Sequence, residues 1–287
     1  MTGWSYRQAV TFSNPGAALS NYQVKVSVDT VTPIGQGNMK SDGSDIRFTD
    51  AGGTTLLSYY LEASTVNQAS TPTVVWVDVV TISAGSNTLY MYYGNAGASA
   101  VSSAGQTFVP NVVQDPDFTG AGSSWTSESC TGGGCPTGYP AMPGNISNCA
   151  PSGSGAAVVD IQRIGNPVNG SASGFCQSVT FPSGSNYQVL VDINGCTQGA
   201  SNGYAFVSTQ GLQSTVITQY TGANLTLDVP SSSSVAGGYS GPFCVGIGLN
   251  AGNGSYEAAF GNLRIRKLAS PDVSVGSEAG SPQQVCP

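Results

Sequence analysis

Between Tyr22 and Asp29 the chain reads YQVKVSVD, with apolar and polar side chains in strict alternation. In an extended strand successive side chains leave opposite faces. Val24, Val26 and Val28 therefore share one face, and Gln23, Lys25 and Ser27 the other. A helix would scatter the three valines around its circumference, so the period of two selects a half-buried strand. The same signature recurs along the first hundred residues in QAVTFSN, DIRFTD, TLLSYYLEA, TVVWVDVV and NTLYMYYGN, divided by the turn-forming stretches NPGAALSN, AGG, NQASTP and SAGS. Many short strands at regular spacing predict a sandwich of jelly-roll type, and no stretch carries a helical period.

The stretch AGASAVSSAGQTFVP, ending at Pro110, has no strong pattern and reads as a junction. Beyond it, SSWTSES, AAVVDIQRI, GFCQSVTF, NYQVLVDING, YAFVSTQG, STVITQY, NLTLDVP, PFCVGIGLN and EAAFGNLRIRKL read as strands again. The expectation is two all-β sandwiches in tandem, residues 1–108 and 109–270, with residues 271–287 as a C-terminal tail.

All seven cysteines lie in the second half, at positions 130, 135, 149, 176, 196, 244 and 286. Zinc would call for C-x2-C pairs or histidines, and the chain has no histidine. The expected use is disulfides among Cys130, Cys135, Cys149, Cys176, Cys196 and Cys244, with Cys286 left over for a bond to a neighbouring chain. Charged residues are only 8% of the chain and the net charge is −7. Nucleic acid is therefore not an expected partner, since phosphate binding needs clustered cations. Arg264, Arg266 and Lys267 do stand close together, but their alternation reads as a solvated strand edge. No run of eighteen apolar residues is present to span a membrane.

Four motifs bear a resemblance to a known family. WSYR at Trp4 to Arg7, SDGSDIRFTD at Ser41 to Asp50, VVWVDV around Trp76 and LYMYYGN at Leu89 to Asn95 resemble a domain of unknown function found in archaeal and bacterial surface proteins. The resemblance implies a jelly-roll-like sandwich in an extracellular protein, and no known catalytic activity. The second half resembles carbohydrate-binding modules of galactose-binding-like fold, through VVQDPDF with SSW, FCQSVTFPSGSNYQVLVDI and FGNLRIRK. Gly261 stands where that family closes on Asp, and Thr119 where Glu follows the phenylalanine. Both departures bear on the family's structural calcium site.

Two kinds of site are worth weighing. Asp42, Asp45 and Asp50 bring carboxylates together in sequence, as a calcium loop would, although an Asp in such a turn commonly accepts hydrogen bonds from its own backbone. Asp115 and Asp117 form a second such pair. Sugar recognition stacks an aromatic ring on a pyranose face, and Trp125, Tyr139, Tyr204, Tyr220, Tyr239 and Tyr256 stand in or beside loops where such platforms sit. Trp76, Tyr90, Tyr92 and Tyr93, inside strand patterns, are expected to pack instead. Four N-x-S/T triplets, at Asn145, Asn169, Asn224 and Asn253, are formal glycan acceptors.

Catalysis has less support. Without histidine a serine nucleophile would need another base, and Lys25, Lys40 and Lys267 lie in contexts that suggest exposure. A glycosidase needs two carboxylates facing one sugar, whereas Asp160, Asp192, Asp228 and Glu257 stand singly. The expected function is therefore structural or adhesive, without enzymatic activity and without a cofactor, calcium apart. The chain opens directly on a strand, with no basic and apolar leader. That suits a phage virion component (fibre, collar or capsid decoration) folded in a host cytosol and oxidised after lysis. It also suits an exported cell-surface or filament protein, shorn of its signal, whose second module binds glycans. On either reading the place is a virion surface or the extracellular space, and the partners are further copies, other surface subunits or a polysaccharide.

Overall fold

The computed structural model describes residues 1–109, 112–114, 116, 124–129, 159–163, 171–198, 203–209, 216–220, 225–228, 234–249 and 255–285. In the first part of the chain, strands β1 (Tyr6–Asn14) and β2 (Leu19–Val28) precede a short helix α1 (Val31–Gly35). Strands β3 (Arg47–Thr49), β4 (Leu56–Leu57), β5 (Tyr59–Leu61), β6 (Thr73–Ile82) and β7 (Gly85–Tyr93) follow, then a single helical turn α2 (Ala104–Thr107). Nine strands come next: β8 (Thr126–Ser129), β9 (Val159–Arg163), β10 (Ser171–Thr180), β11 (Asn186–Gln198), β12 (Gly203–Ser208), β13 (Val216–Tyr220), β14 (Leu225–Asp228), β15 (Ser240–Leu249) and β16 (Ser255–Leu268). The last is β17 (Gly276–Gln284). The expected all-β class is what the chain adopts, and among the described residues no helix is long and apolar enough to cross a membrane.

The chain divides into two compact units, and the division is not the expected tandem. One unit comprises residues 1–110 together with 269–287, and the other residues 111–268. The first boundary thus falls near the expected one, but the stretch from 271 is no tail. It returns to the first unit as β17 and lies between β1 and β2 in an eight-stranded sheet of order β4-β3-β7-β1-β17-β2-β6-β5. β17 runs antiparallel to β1, with Ala9 opposite Ala279, and parallel to β2, with Gly276 opposite Val26. The outermost strands, β4 and β5, are separated in the chain only by Ser58, so the backbone itself nearly closes the sheet into a barrel.

The core of this unit is the inward set that alternation marks out. Val10 and Phe12, then Val24, Val26 and Val28, then Val75, Val77 and Val79, then Leu89, Met91 and Tyr93 form one buried cluster. Each such side chain contributes about 1.5 to 3 kcal/mol through removal from water. β17 contributes differently, because Gly276 is its one buried residue. A Cβ on Gly276 would lie 3.2 Å from Val26 Cγ2 and 3.3 Å from Val10 Cγ1, so any side chain there would press the valine layer outward. On the outer face Trp76 is also buried, as expected, its indole donating to Glu62 at 2.9 Å and its ring 5.7 Å from Phe108.

The connector into β17 is fastened to the same core. The Tyr22 hydroxyl accepts the Ala269 N–H at 3.0 Å and donates to the Asp272 carboxylate. Ser274 exchanges two bonds with Ser13, and Ala269 and Val273 pack against the cluster. Between Arg7 and Ala9 the β1 ladder meets a bulge of three residues, Gly280 to Pro282. Gln8 crosses this gap, donating its amide to the carbonyls of Ala279 and Gly280 at 3.1 and 2.9 Å. Pro282 lacks an N–H for the ladder, and a bulge is where a strand tolerates that.

The second unit holds a five-stranded sheet, β13-β12-β15-β10-β8, and a four-stranded one, β14-β11-β16-β9. Phe181, which follows β10, joins them: its ring lies 5.4 Å from Tyr187 on β11 and 6.4 Å from Phe243 on β15. Cys176 and Cys244 face each other across β10 and β15 and are bonded as a disulfide, both buried. Cys196 stands on β11, and Cys130, Cys135, Cys149 and Cys286 lie outside the described residues.

One expectation about charge is corrected. Arg264 and Arg266 are buried at 2% and 7% exposure, and the Arg266 guanidinium donates to Gln188. Leu263 and Ile265, which alternate with them on β16, are buried too, so alternation there separates two covered faces rather than core from solvent.

Two measurements check this account. Replacing Gly276 by Val should lower the unfolding free energy by about 1 to 3 kcal/mol through overpacking, whereas Val275→Ser on the exposed neighbour should shift it by no more than about 0.5. Cys176→Ala with Cys244→Ala should cost the second unit about 2 to 4 kcal/mol in urea denaturation and leave the first unit's transition where it is.

Candidate functional site

Three of the N-terminal motifs meet at one buried carboxylate. Asp45, 1% exposed, accepts the Lys40 N–H on Oδ1 at 3.1 Å and the N–H groups of Gly94 and Asn95 on Oδ2 at 2.9 and 3.3 Å. Its own carbonyl accepts the Trp4 indole N–H at 2.8 Å. One residue therefore ties the chain's first turn, the loop after α1 and the end of β7. A carboxylate is suited to the task because its two oxygens can take several donors, and charge-assisted bonds are the stronger ones.

The neighbours are equally engaged. Buried Arg47 donates to the carbonyls of Ser44, Ile46 and Ser99 at 3.0, 2.6 and 2.6 Å, with its guanidinium 5.5 Å over the Trp4 ring. Lys40 Nζ donates to the Ala98 carbonyl at 2.9 Å, so this lysine is tethered rather than free in solvent. The Tyr59 hydroxyl donates to the Ile46 carbonyl at 2.7 Å, and burial pushes its pKa up. Gly94 has φ +85, and a Cβ there would lie 2.9 Å from the Tyr6 ring, so the glycine of YYGN is required for both conformation and space.

The other two acids serve separate turns. Asp42 accepts the Ser44 N–H at 3.0 Å, a bond that holds its carboxyl below the usual range. Asp50 accepts from Thr54 and Thr55 at 3.3 and 3.2 Å, and hydrogen bonding by Thr55 lowers its pKa likewise. The three carboxylates do not converge, and among the described residues no group of three or more such side chains is arranged to hold a metal. Asp115 and Asp117 lie outside the described residues.

β17 adds a cluster that the linear sequence conceals. Glu278 accepts the Asp29 N–H at 3.0 Å, and burial raises its pKa. Burial and the nearby Glu278, Tyr6 and Asp29 push the Tyr93 hydroxyl up to about 12. Tyr93 in turn stacks on Tyr6 at 5.2 Å.

The aromatic candidates of the second unit that fall among the described residues are spread over both of its sheets. Trp125 is buried at 4% exposure next to the edge strand β8. Tyr239 donates to the carbonyls of Thr209 and Pro242 and packs 6.2 Å from Phe181, so its hydroxyl and one side of its ring are engaged. Tyr204 and Tyr220 sit at ends of β12 and β13 in the five-stranded sheet, and Tyr256 near the start of β16 in the four-stranded one. Tyr139 and the triplet asparagines at 145, 169, 224 and 253 lie outside the described residues.

Comparison with protein families finds a match in the first part of the chain. Residues 42–127 fit a family described as a domain of unknown function, DUF2341. The matched stretch is less than a third of the chain and includes β3 to β7 with the Asp42 to Asn95 part of the hub, but not β1, β2 or β17. The resemblance of the N-terminal motifs to a family of this kind thus has independent support. No curated protein matches the chain.

The hub makes a sharp prediction. Asp45→Asn should lower the stability of the first unit by about 2 to 4 kcal/mol in urea denaturation, because an amide presents one acceptor oxygen where three donors wait and turns an N–H2 toward them. Asp50→Asn, on the surface, should leave the midpoint close to that of the parent chain. Equal effects of the two substitutions would remove the hub from the account.

Proposed function

We propose that the chain is a non-enzymatic structural or adhesive protein of an exposed surface, in the form we favour a virion component such as a fibre, collar or decoration protein. The observation that carries this reading is the return of β17. With residues 111–268 leaving and re-entering one barrel, the second unit is an insertion held at both ends, the first unit is a mount, and the second is what the mount displays. The hub supports the same reading, since its carboxylate, guanidinium and lysine are all committed to backbone partners and none is poised to act on a substrate. Low charge density supports it too, because copies packed side by side repel each other little.

A second reading has its own support. Tyr204, Tyr220 and Tyr256 stand at strand ends, where an aromatic ring can border a sugar-binding loop. An exported cell-surface or filament protein whose inserted unit grips a glycan would use them.

The two readings part on two measurements with the purified full chain. Antibody labelling should decorate virions or cell-surface filaments in electron micrographs, and label confined to soluble cytosol would overturn the proposal. A glycan array should show binding that Tyr204→Ala, Tyr220→Ala or Tyr256→Ala reduces at least tenfold if the second reading holds, and a blank array would remove it. No turnover of polysaccharide is expected on either.

A further inference from the structure

We propose that β17 is exchanged between copies, the slot between β1 and β2 of one barrel receiving β17 of the next, so that each inserted unit bridges two barrels. The inference rests on the surface-assembly reading above and names its contact and its partner, a second copy of this chain.

Three observations carry it. First, β1 and β2 do not pair with each other, and the strand between them supplies both ladders: Ala9 opposite Ala279, Val10 opposite Glu278 and Thr11 opposite Ser277 on one side, Gly276 opposite Val26 and Ser277 opposite Ser27 on the other. The first unit therefore contains a site shaped for one extended segment. Second, β17 is held almost wholly by its backbone. Gly276 alone is buried, and the side-chain bonds to the strand come from the slot, Gln8 to the carbonyls of Ala279 and Gly280 and Arg7 to Gln283 at 2.7 Å, or meet at its rim, where Glu278 takes the Asp29 N–H. An identical strand from a neighbour reproduces every one of these contacts, which is what makes exchange of an identical element inexpensive.

Third, the chain reaches the strand only by way of the second unit, and the connector from Ala269, with its bonds to Tyr22 and Ser13, passes to the neighbour together with the strand. The chain passes between units at 110/111 and 268/269, so the covalent link fixes the local concentration of β17 but not which barrel it enters. When copies are crowded on a surface, a neighbour's slot competes with the chain's own for the strand. The exchanged contact joins the C-terminal strand of one molecule to the β1 and β2 strands of another. That is a head-to-tail contact, and it builds a ring if the rotation closes and a filament if it does not.

Cross-linking of the full chain tests this. Ala9 and Ala279 are directly opposed across β1 and β17, within reach of a short thiol-to-thiol reagent. Chains carrying Ala9→Cys, grown in heavy nitrogen, and separately grown unlabelled chains carrying Ala279→Cys are mixed unfolded and refolded together, and the assembled fraction is cross-linked and mapped by mass spectrometry. The expected result is a peptide joining positions 9 and 279 from one heavy and one light chain, absent when either variant is made alone. The double variant Ala9→Cys/Ala279→Cys controls for reach by linking 9 to 279 in whichever way the strand is seated. If the double variant links only within single chains and the mixture gives no heavy-to-light product, exchange is overturned. Ordered particles or filaments in that same fraction would then leave the surface-assembly reading standing, whereas particles absent altogether would sink both.

Discussion

The first unit depends on a ladder of backbone hydrogen bonds made by a strand with almost no side chains to bury. β17 lies between β1 and β2, and without it those strands face a gap through which the valine layer of Val10, Val24 and Val26 would meet water. An unpaired N–H or C=O costs about as much as a lost hydrogen bond when buried, so a slot of this kind is held open at a penalty or filled. The glycine that opens the strand eases its entry, since a Cβ there would press on Val10 and Val26.

The second constraint is the carboxylate of Asp45. A buried charge is tolerated only with partners, and here three backbone N–H groups from two distant segments supply them. The motifs that resemble a surface-protein family are therefore intelligible without a ligand. The DGSD turn supplies the acceptor, YYGN supplies two donors and a glycine that lets Tyr6 approach, and the N-terminal Trp closes over the Arg47 guanidinium.

Reading the sequence recovered the strands where alternation is strong, as in YQVKVSVD, TVVWVDVV and NTLYMYYGN, because there period and burial coincide. It missed β17 for a physical reason. GSEAGSPQQ has no apolar alternation, since its ladder and not its side chains holds it in place. It misjudged Arg264 and Arg266 because charge alternation looks the same whether the polar face of a strand is open to solvent or covered. The role of Asp45 was out of reach for another reason: an Asp in a DGSD turn offers the same oxygens to an ion as to amides, and its donors at Gly94 and Asn95 lie about fifty residues away in the chain. The loop aromatics were proposed on their proximity to turns, and Trp125 shows that proximity does not determine exposure.

The bond between Cys176 and Cys244 has a consequence for timing. Thiol oxidation requires a thiolate that a reagent can touch, and at 2% and 0% exposure neither sulfur is open to one once β10 and β15 have zipped. The link therefore forms while those strands are apart, either before they first pair or when they part again. A molecule that takes its shape in a reducing cytosol and meets an oxidant later gains the bridge only through such an opening of the two strands.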